Sequence, residues 1–494
     1  MNRYNFFTLI TALLSCALTL EAQPRQEWVR YYGGDGTDVF KDVYATIDGG
    51  YIITGRTHPV PELWLVKVDR NGENVWQRSY DVLDDGNYTD CGNSVIETDD
   101  GGFLVGGHSS RLGRASDRFI AIKVDDVGEL EWQNRYGGDE DGVCYAVIEA
   151  KAGTYLMAGK IGEGRDTRGY AVMVDDGGEI VWERDYERDQ ISVVRSVRES
   201  PGNGFLLAGA AVNAFSLVRI DQDGEVVWHR IYEIERDNIG TCTSIVSVNR
   251  GFALGGYIIY LDQVNEEDFR LIQVDGDGDP IWDQVYAIEG MQLCYCITRM
   301  WDSGFTLVGE AAIEGDLQHI VMRTGPAGNV NWVEMAGENS CFNSCVEDRD
   351  GYIIAAGMGY DGEMGQGLGL QGMLYKIVPE RSAPMIVEYH PPELEFTTLP
   401  DTVDFWVRAV DLQEDSLFYT WTLDGDTLPD EDSTVTIPFP DPDDFEVECV
   451  VADTTGADSV RWLVHVRELF IRGHLPEALE MTVRRDSTVA FAVD

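Results

Sequence analysis

Three short segments of this chain gather positive charge against a strongly acidic background. Arg56 and His58 form the first, His108, Arg111 and Arg114 the second, and Lys160, Arg165 and Arg168 the third. Cations grouped this way suit an anionic ligand such as an acidic glycan or protein. The corresponding later segments carry the opposite sign: Asp262, Glu266, Glu267 and Asp268, then Glu314 and Asp316, then Asp361 and Glu363. One rim of the molecule is therefore expected to be electrically split, with the eight basic residues as candidate ligand-binding side chains. The plainer alternative makes them solvated charges offset by Asp84, Asp85, Asp139, Glu140 and Asp141, since exposed ion pairs contribute little.

Catalytic patterns are sparse. His58 and His108 are the nearest candidates for a glycan lyase or hydrolase, which needs converging carboxylates or a His/Tyr pair. There is no nucleophile motif, no Gly-rich phosphate loop and no His-x-x-x-His pair. Acidic turns such as Asp275-Gly-Asp-Gly-Asp279 look like calcium loops, but they lack the bidentate Glu at loop position twelve and recur as hairpin turns. No cofactor or metal site is expected, weak calcium binding being the minor alternative.

A repeat must hold these segments in place. Trp28, Trp76, Trp132, Trp182, Trp228, Trp282 and Trp332 recur about every 50 residues, a period typical of β-propellers. Five of them end the pattern Asp-x-x-Gly-x-x-x-Trp, beginning at Asp69, Asp125, Asp175, Asp221 and Asp275, and a sixth copy has Gly325 in place of Asp. Upstream of each turn lies an apolar strand with one polar interruption, such as Leu65-Val-Lys-Val68. Further upstream come a Gly-aromatic pair, such as Gly50-Tyr51 or Gly102-Phe103, and another strand. Each unit thus has four strands, a to d, the number found in a propeller blade.

The counts are offset. The first d strand (Glu27–Tyr31) precedes any a strand, and the last unit ends at its c strand near Ile377. The N-terminal strand is therefore expected to complete the last of seven blades, removing two free sheet edges. The tryptophans are expected to be structural, each packing against the next blade. Cys144, Cys242 and Cys294 occupy nearly one position in the repeat and are expected to be buried thiols facing the ring centre, with at most one or two disulfides in the chain.

Outside the repeat, residues 1–22 read as a secretory signal, with Arg3, an apolar run from Phe6 to Leu20, and a cleavage site at Leu20-Glu-Ala22. Lipid attachment at Cys16 is the alternative. The expected propeller spans 25–380. Residues 384–467 alternate like a small β-sandwich around Trp421, and 468–494 echo its beginning, as if a second copy were cut short. A net charge of −50 disfavours nucleic acid and anionic membranes as partners. After signal removal no segment is expected to insert in a membrane.

The Asp-x-x-Gly-x-x-x-Trp turns, with Asp-Gly-Gly-Tyr/Phe between strands a and b, resemble the quinoprotein-like (PQQ-like) propellers of secreted bacterial proteins, from roughly Gln26 to Glu380. The segment after them resembles immunoglobulin-like or PKD-like modules. Quinoprotein dehydrogenases of this class use an adjacent cysteine pair and a calcium site, and this sequence has no Cys-Cys dipeptide. The resemblance therefore implies the fold and not the redox chemistry. The expectation is a monomeric, secreted or cell-surface, non-enzymatic binding or adhesion scaffold presenting variable loops to an extracellular glycan or protein. A propeller-type glycan-active enzyme and a purely structural surface component are the alternatives.

Overall fold

The computed structural model describes residues 25–467, apart from 35, 60, 83–87, 112–116, 152, 235–237, 250, 262–266, 289, 314, 361–368, 379–383, 412–415, 430–431 and 454–456. The expected signal segment and the expected second sandwich copy lie outside the described residues. The chain divides into two compact units, Met1–Arg381 and Ser382–Asp494.

The first unit is all β. Its strands form seven four-stranded antiparallel blades, two of which are joined by a single bridging pair, Glu267 with Met291. The seven a strands are Val39–Ala45, Tyr88–Glu97, Gly142–Lys151, Val193–Glu199, Ile239–Val248, Met291–Arg299 and Cys341–Glu347. Each touches the a strands on either side, so together they wall a central channel. The N-terminal strand Arg25–Tyr32 pairs with the last c strand, Gln371–Val378, as the fourth strand of blade 7.

Successive blades are tied by the d strands. Each tryptophan from Trp28 to Trp282 lies over the c–d turn glycine of the following blade; a Cβ added to Gly72 would sit 3.0 Å from the Trp28 ring. Four residues further along, the hydroxyls of Tyr32, Tyr80, Tyr136, Tyr186, Tyr232 and Tyr286 donate to the carbonyls of Gly72, Gly128, Gly178, Gly224, Gly278 and Gly328. The ring closes by the same device, since Trp28 and Tyr32 of blade 7 engage Gly72 of blade 1. Blade 6 is the exception. Blade 7 takes its d strand from the N-terminus, so it has no c–d hairpin for Trp332 to cover. Ala336 fills the tyrosine slot there, and the Trp332 indole N–H, like that of Trp228, is buried with no hydrogen-bond partner among the described residues.

In four of the seven c strands the cationic residue that interrupts the apolar run has a carboxylate partner. Lys67 reaches Asp48 at 2.8 Å, Lys123 reaches Asp100 at 2.9 Å and Lys376 reaches Asp348 at 3.0 Å, each across its own a–b turn, and Arg323 pairs likewise with Asp302. An ammonium this buried persists only when paired.

The second unit packs two sheets. Met385–His390, Asp401–Val410 and Thr434–Phe439 form one; Phe418–Leu423, Asp444–Ala452 and Ala457–Val466, with two short strands, form the other. Trp421 and Trp462, both fully buried, stack at its centre with ring centroids 6.0 Å apart. All eight cysteines among the described residues are free thiols, Cys449 included. No helix among the described residues is long and apolar enough to cross a membrane.

Candidate functional site

Every a strand carries a β-bulge at the same level. The register slips at Lys41, Asn93, Tyr145, Arg195, Thr243, Tyr295 and Asn343. A bulge re-aims its extra residue, and all seven line one cavity of about 390 Å³ at the channel mouth. Opposite each bulge stands a b-strand glycine, such as Gly55, Gly107 or Gly159, where any Cβ would collide with an a-strand carbonyl oxygen. The bulge also corrects the expected orientation of the cysteines. Cys144, Cys242 and Cys294 sit just before it and turn into the cores between blades, while the next residues take the channel. Burial pushes the Cys242 thiol up to about 12.

The seven bulged side chains divide by role. Asn93 donates to Cys144 O at 2.8 Å, Thr243 to Cys294 O at 2.9 Å and Asn343 to Phe40 O at 2.7 Å, each tying its blade to the next. The four long side chains have no such duty. The Arg195 guanidinium lies 4.0 Å from the Tyr145 ring centroid, and its Nε is buried with no hydrogen-bond partner among the described residues. Tyr295 donates to Glu310 at 2.7 Å and meets Tyr257 edge-on, with centroids 6.5 Å apart. Neither Lys41 nor Arg195 forms an ion pair among the described residues.

One strand further out, the residue after each b-strand glycine forms a second ring. It contains Arg56, His108 and Lys160 in blades 1 to 3 and Tyr257 and Glu310 in blades 5 and 6. His108 bonds Asn93 through Nδ1 at 3.1 Å. Burial lowers its pKa first; Asp117 opposes this, and the charges of Lys41, Arg56 and Lys160 add to it. This cationic, buried neighbourhood therefore disfavours protonation of the imidazole. Burial, reinforced by Glu310, raises the Tyr295 pKa, so that phenol stays protonated.

Three of the eight residues expected from sequence, Arg56, His108 and Lys160, thus stand near one another one strand outside the cavity lining. The other five do not. His58 is exposed on the b–c connection of blade 1, Arg111 ends its strand exposed, and Arg114 lies outside the described residues. Arg165 is exposed on a short 3-10 turn, Gly164–Asp166. Arg168 is held by Glu140 at 2.8 Å and by Asp185 at 2.5 Å. Of the expected acidic sector, only Glu267, Asp268 and Asp316 are described. Sequence reasoning missed Lys41 and Arg195, which sit in mid-strand and face the channel only because of the bulge.

The opposite mouth differs. Glu97, Asp99, Glu149 and Glu199 line it together with Tyr44. Two of these carboxylates hold neighbouring turns: Glu97 accepts from Ile47 N at 2.6 Å and Glu149 from Asp99 N at 2.7 Å. Between the mouths, Asp42 accepts from Ser344 Oγ at 2.7 Å and from Val95 N at 2.9 Å. No group of three or more His, Cys, Asp or Glu side chains among the described residues could hold a metal ion.

The fold and this site together define a β-propeller with a cation-rich channel mouth. No protein-family model matches the chain, and no curated protein matches it. Among solved structures, it is similar to the extracellular domain of a protein described as a one-component system from B. thetaiotaomicron (TM-score 0.39, 10% identity, 89% of this chain) and spans 59% of that chain. It is also similar to a protein of unknown function from Bacteroides caccae (TM-score 0.37, 13% identity, covering 61% of this chain and 94% of that one). The Pan2 WD40 domain of Neurospora crassa gives TM-score 0.45 at 11% identity, covering 72% of this chain and 94% of that one.

Proposed function

We propose that this protein is an exported, non-enzymatic binding module that captures an anionic partner at one mouth of its propeller channel. The observation that carries this is the pair Lys41 and Arg195, two cations aimed into one cavity without an ion-pair partner among the described residues. Arg56 and Lys160 stand beside them, in a chain of net charge −50. Low-dielectric walls focus such a field on the cavity. A cavity of about 390 Å³ falls within the range of roughly 300–1,000 Å³ common for ligand sites. Export rests on the N-terminal sequence, and kinship with quinoprotein-like propellers and immunoglobulin-like modules on the quoted motifs.

A catalytic role has less support: the His108 ring is engaged by Asn93 through Nδ1, and the Tyr295 hydroxyl donates to Glu310.

The test is calorimetric titration of the full chain with a panel of anionic oligosaccharides and acidic peptides. Lys41→Glu with Arg195→Glu should abolish whatever binding the wild type shows, and binding should weaken as salt rises. Equal binding by the double variant, or no binding to any anion, overturns the proposal.

A further inference from the structure

The chemistry around Arg195 narrows the ligand class, on the premise that the mouth binds anions at all. We infer that the cavity takes the terminal, carboxylate-bearing sugar of an acidic polysaccharide, entering end-on along the channel axis.

The carboxylate site is the Arg195 guanidinium. The Tyr145 face fixes its plane at 4.0 Å, leaving the edge donors free to meet a planar, two-oxygen acceptor. Lys41, from blade 1 of the same wall, adds a point charge without directional demand.

The rest of the cavity suits a sugar ring. Tyr257 and Tyr295 present an aromatic corner against which the C–H face of a pyranose can stack. Glu310 holds the Tyr295 ring in place by accepting its hydroxyl at 2.7 Å.

A peptide fits less well. Extended peptides are recognised largely through free backbone groups of a sheet edge. Here the carbonyls of Phe40, Cys144 and Cys294 are taken by Asn343, Asn93 and Thr243. Entry is end-on because all seven a strands converge on the cavity, so a polymer can present only a terminus or a single-residue branch.

The full chain is titrated with four probes: an oligosaccharide ending in a uronic acid, the same oligosaccharide with that carboxyl reduced to the alcohol, a sulfated oligosaccharide of equal length, and an oligoglutamate peptide. Binding of the uronate probe is expected, with at least a hundredfold weaker binding after carboxyl reduction. Arg195→Lys, which keeps the charge and loses the planar fork, should weaken uronate binding about tenfold or more. Arg165→Glu, away from the mouth, should leave it unchanged.

The reduced-carboxyl arm needs no variant, so it stands even if a substitution perturbs folding. Preference for the sulfated probe or for the peptide overturns the sugar-carboxylate assignment and leaves the anion-binding function standing. Equal binding of the acid and the alcohol, or wild-type affinity in Arg195→Lys, also overturns the assignment. No binding to any of the four overturns both.

Discussion

Replacing Trp28 by Ala and Tyr32 by Phe should open the ring at one place. The other d strands continue from their c strands through a hairpin, so loosening one leaves it tethered. The N-terminal strand is joined to its c-strand partner only by hydrogen bonds, from Arg25 opposite Val378 to Tyr32 opposite Gly372. Losing the Tyr32 hydroxyl removes the 2.6 Å bond to Gly72 O, worth about 1 kcal/mol. Trp28 is half-buried, so its truncation should cost about 2 kcal/mol, below the 3–5 of a fully buried aromatic. The sum, about 3 kcal/mol, corresponds to a fall of roughly 3–6 °C in melting temperature for a domain this large. The matched control is Trp76→Ala with Tyr80→Phe, whose contacts to the Gly128 turn are equivalent but whose strand belongs to a hairpin. Both pairs should shift the melt alike. Hydrogen exchange should separate them: amides of Arg25–Tyr32 and Gln371–Val378 should lose protection by local opening in the first variant, with no matching loss in strand Asn74–Tyr80 of the second. Equal exchange in the two variants would refute the clasp.

Two further outcomes follow from buried charge. Asp348→Asn leaves the Lys376 ammonium buried with the Tyr51 hydroxyl at 3.1 Å and the Tyr352 ring at 4.0 Å as its remaining neighbours, and should cost about 3–5 kcal/mol in chemical denaturation; a loss under 1 kcal/mol would show that the pair is not what holds that turn. Glu347 is held at about 7, chiefly by burial, against an ordinary 4.5. Between those values the folded protein binds more protons than the unfolded chain, so this group lowers stability as pH rises through that window. Glu347→Gln should therefore raise the melting temperature at pH 8 more than at pH 5, and an equal shift at both would contradict the assignment.

The ring was legible because its signals are periodic. Seven tryptophans and the Asp-x-x-Gly turns give blade number, strand order and closure before any coordinate is known. The tyrosine latch was equally present in the sequence, as Trp-x-x-x-Tyr in six d strands, and could have been found by extending the repeat four residues. The site was legible only in part. Arg56, His108 and Lys160 follow a recurring glycine, so alignment alone puts them in one ring. Lys41 and Arg195 could not be placed by counting. Period-two alternation assigns a strand residue to a face only in an unbroken ladder, and the bulge breaks it next to the residues that matter. The same slip explains why the aligned cysteines were expected at the ring centre and lie between blades. Arg168 failed for another reason: it begins its c strand between Asp185 on the adjoining d strand and Glu140 on the connection leading into the blade, and the approach of that connection is not written in the repeat.

The glycines opposite the bulges have a consequence for redesign. They fix the position of each slip through the backbone, whatever side chain is extruded. Lysine, asparagine, tyrosine, arginine and threonine already occupy the same slot within one molecule. The mouth therefore behaves as a keyboard with four exchangeable keys, Lys41, Tyr145, Arg195 and Tyr295, and three, Asn93, Thr243 and Asn343, that also brace the frame. Shuffling those four positions alone should retune the partner while the blades stay as they are, and the Asn93, Thr243 and Asn343 keys mark how many can be spared before neighbouring blades lose their ties.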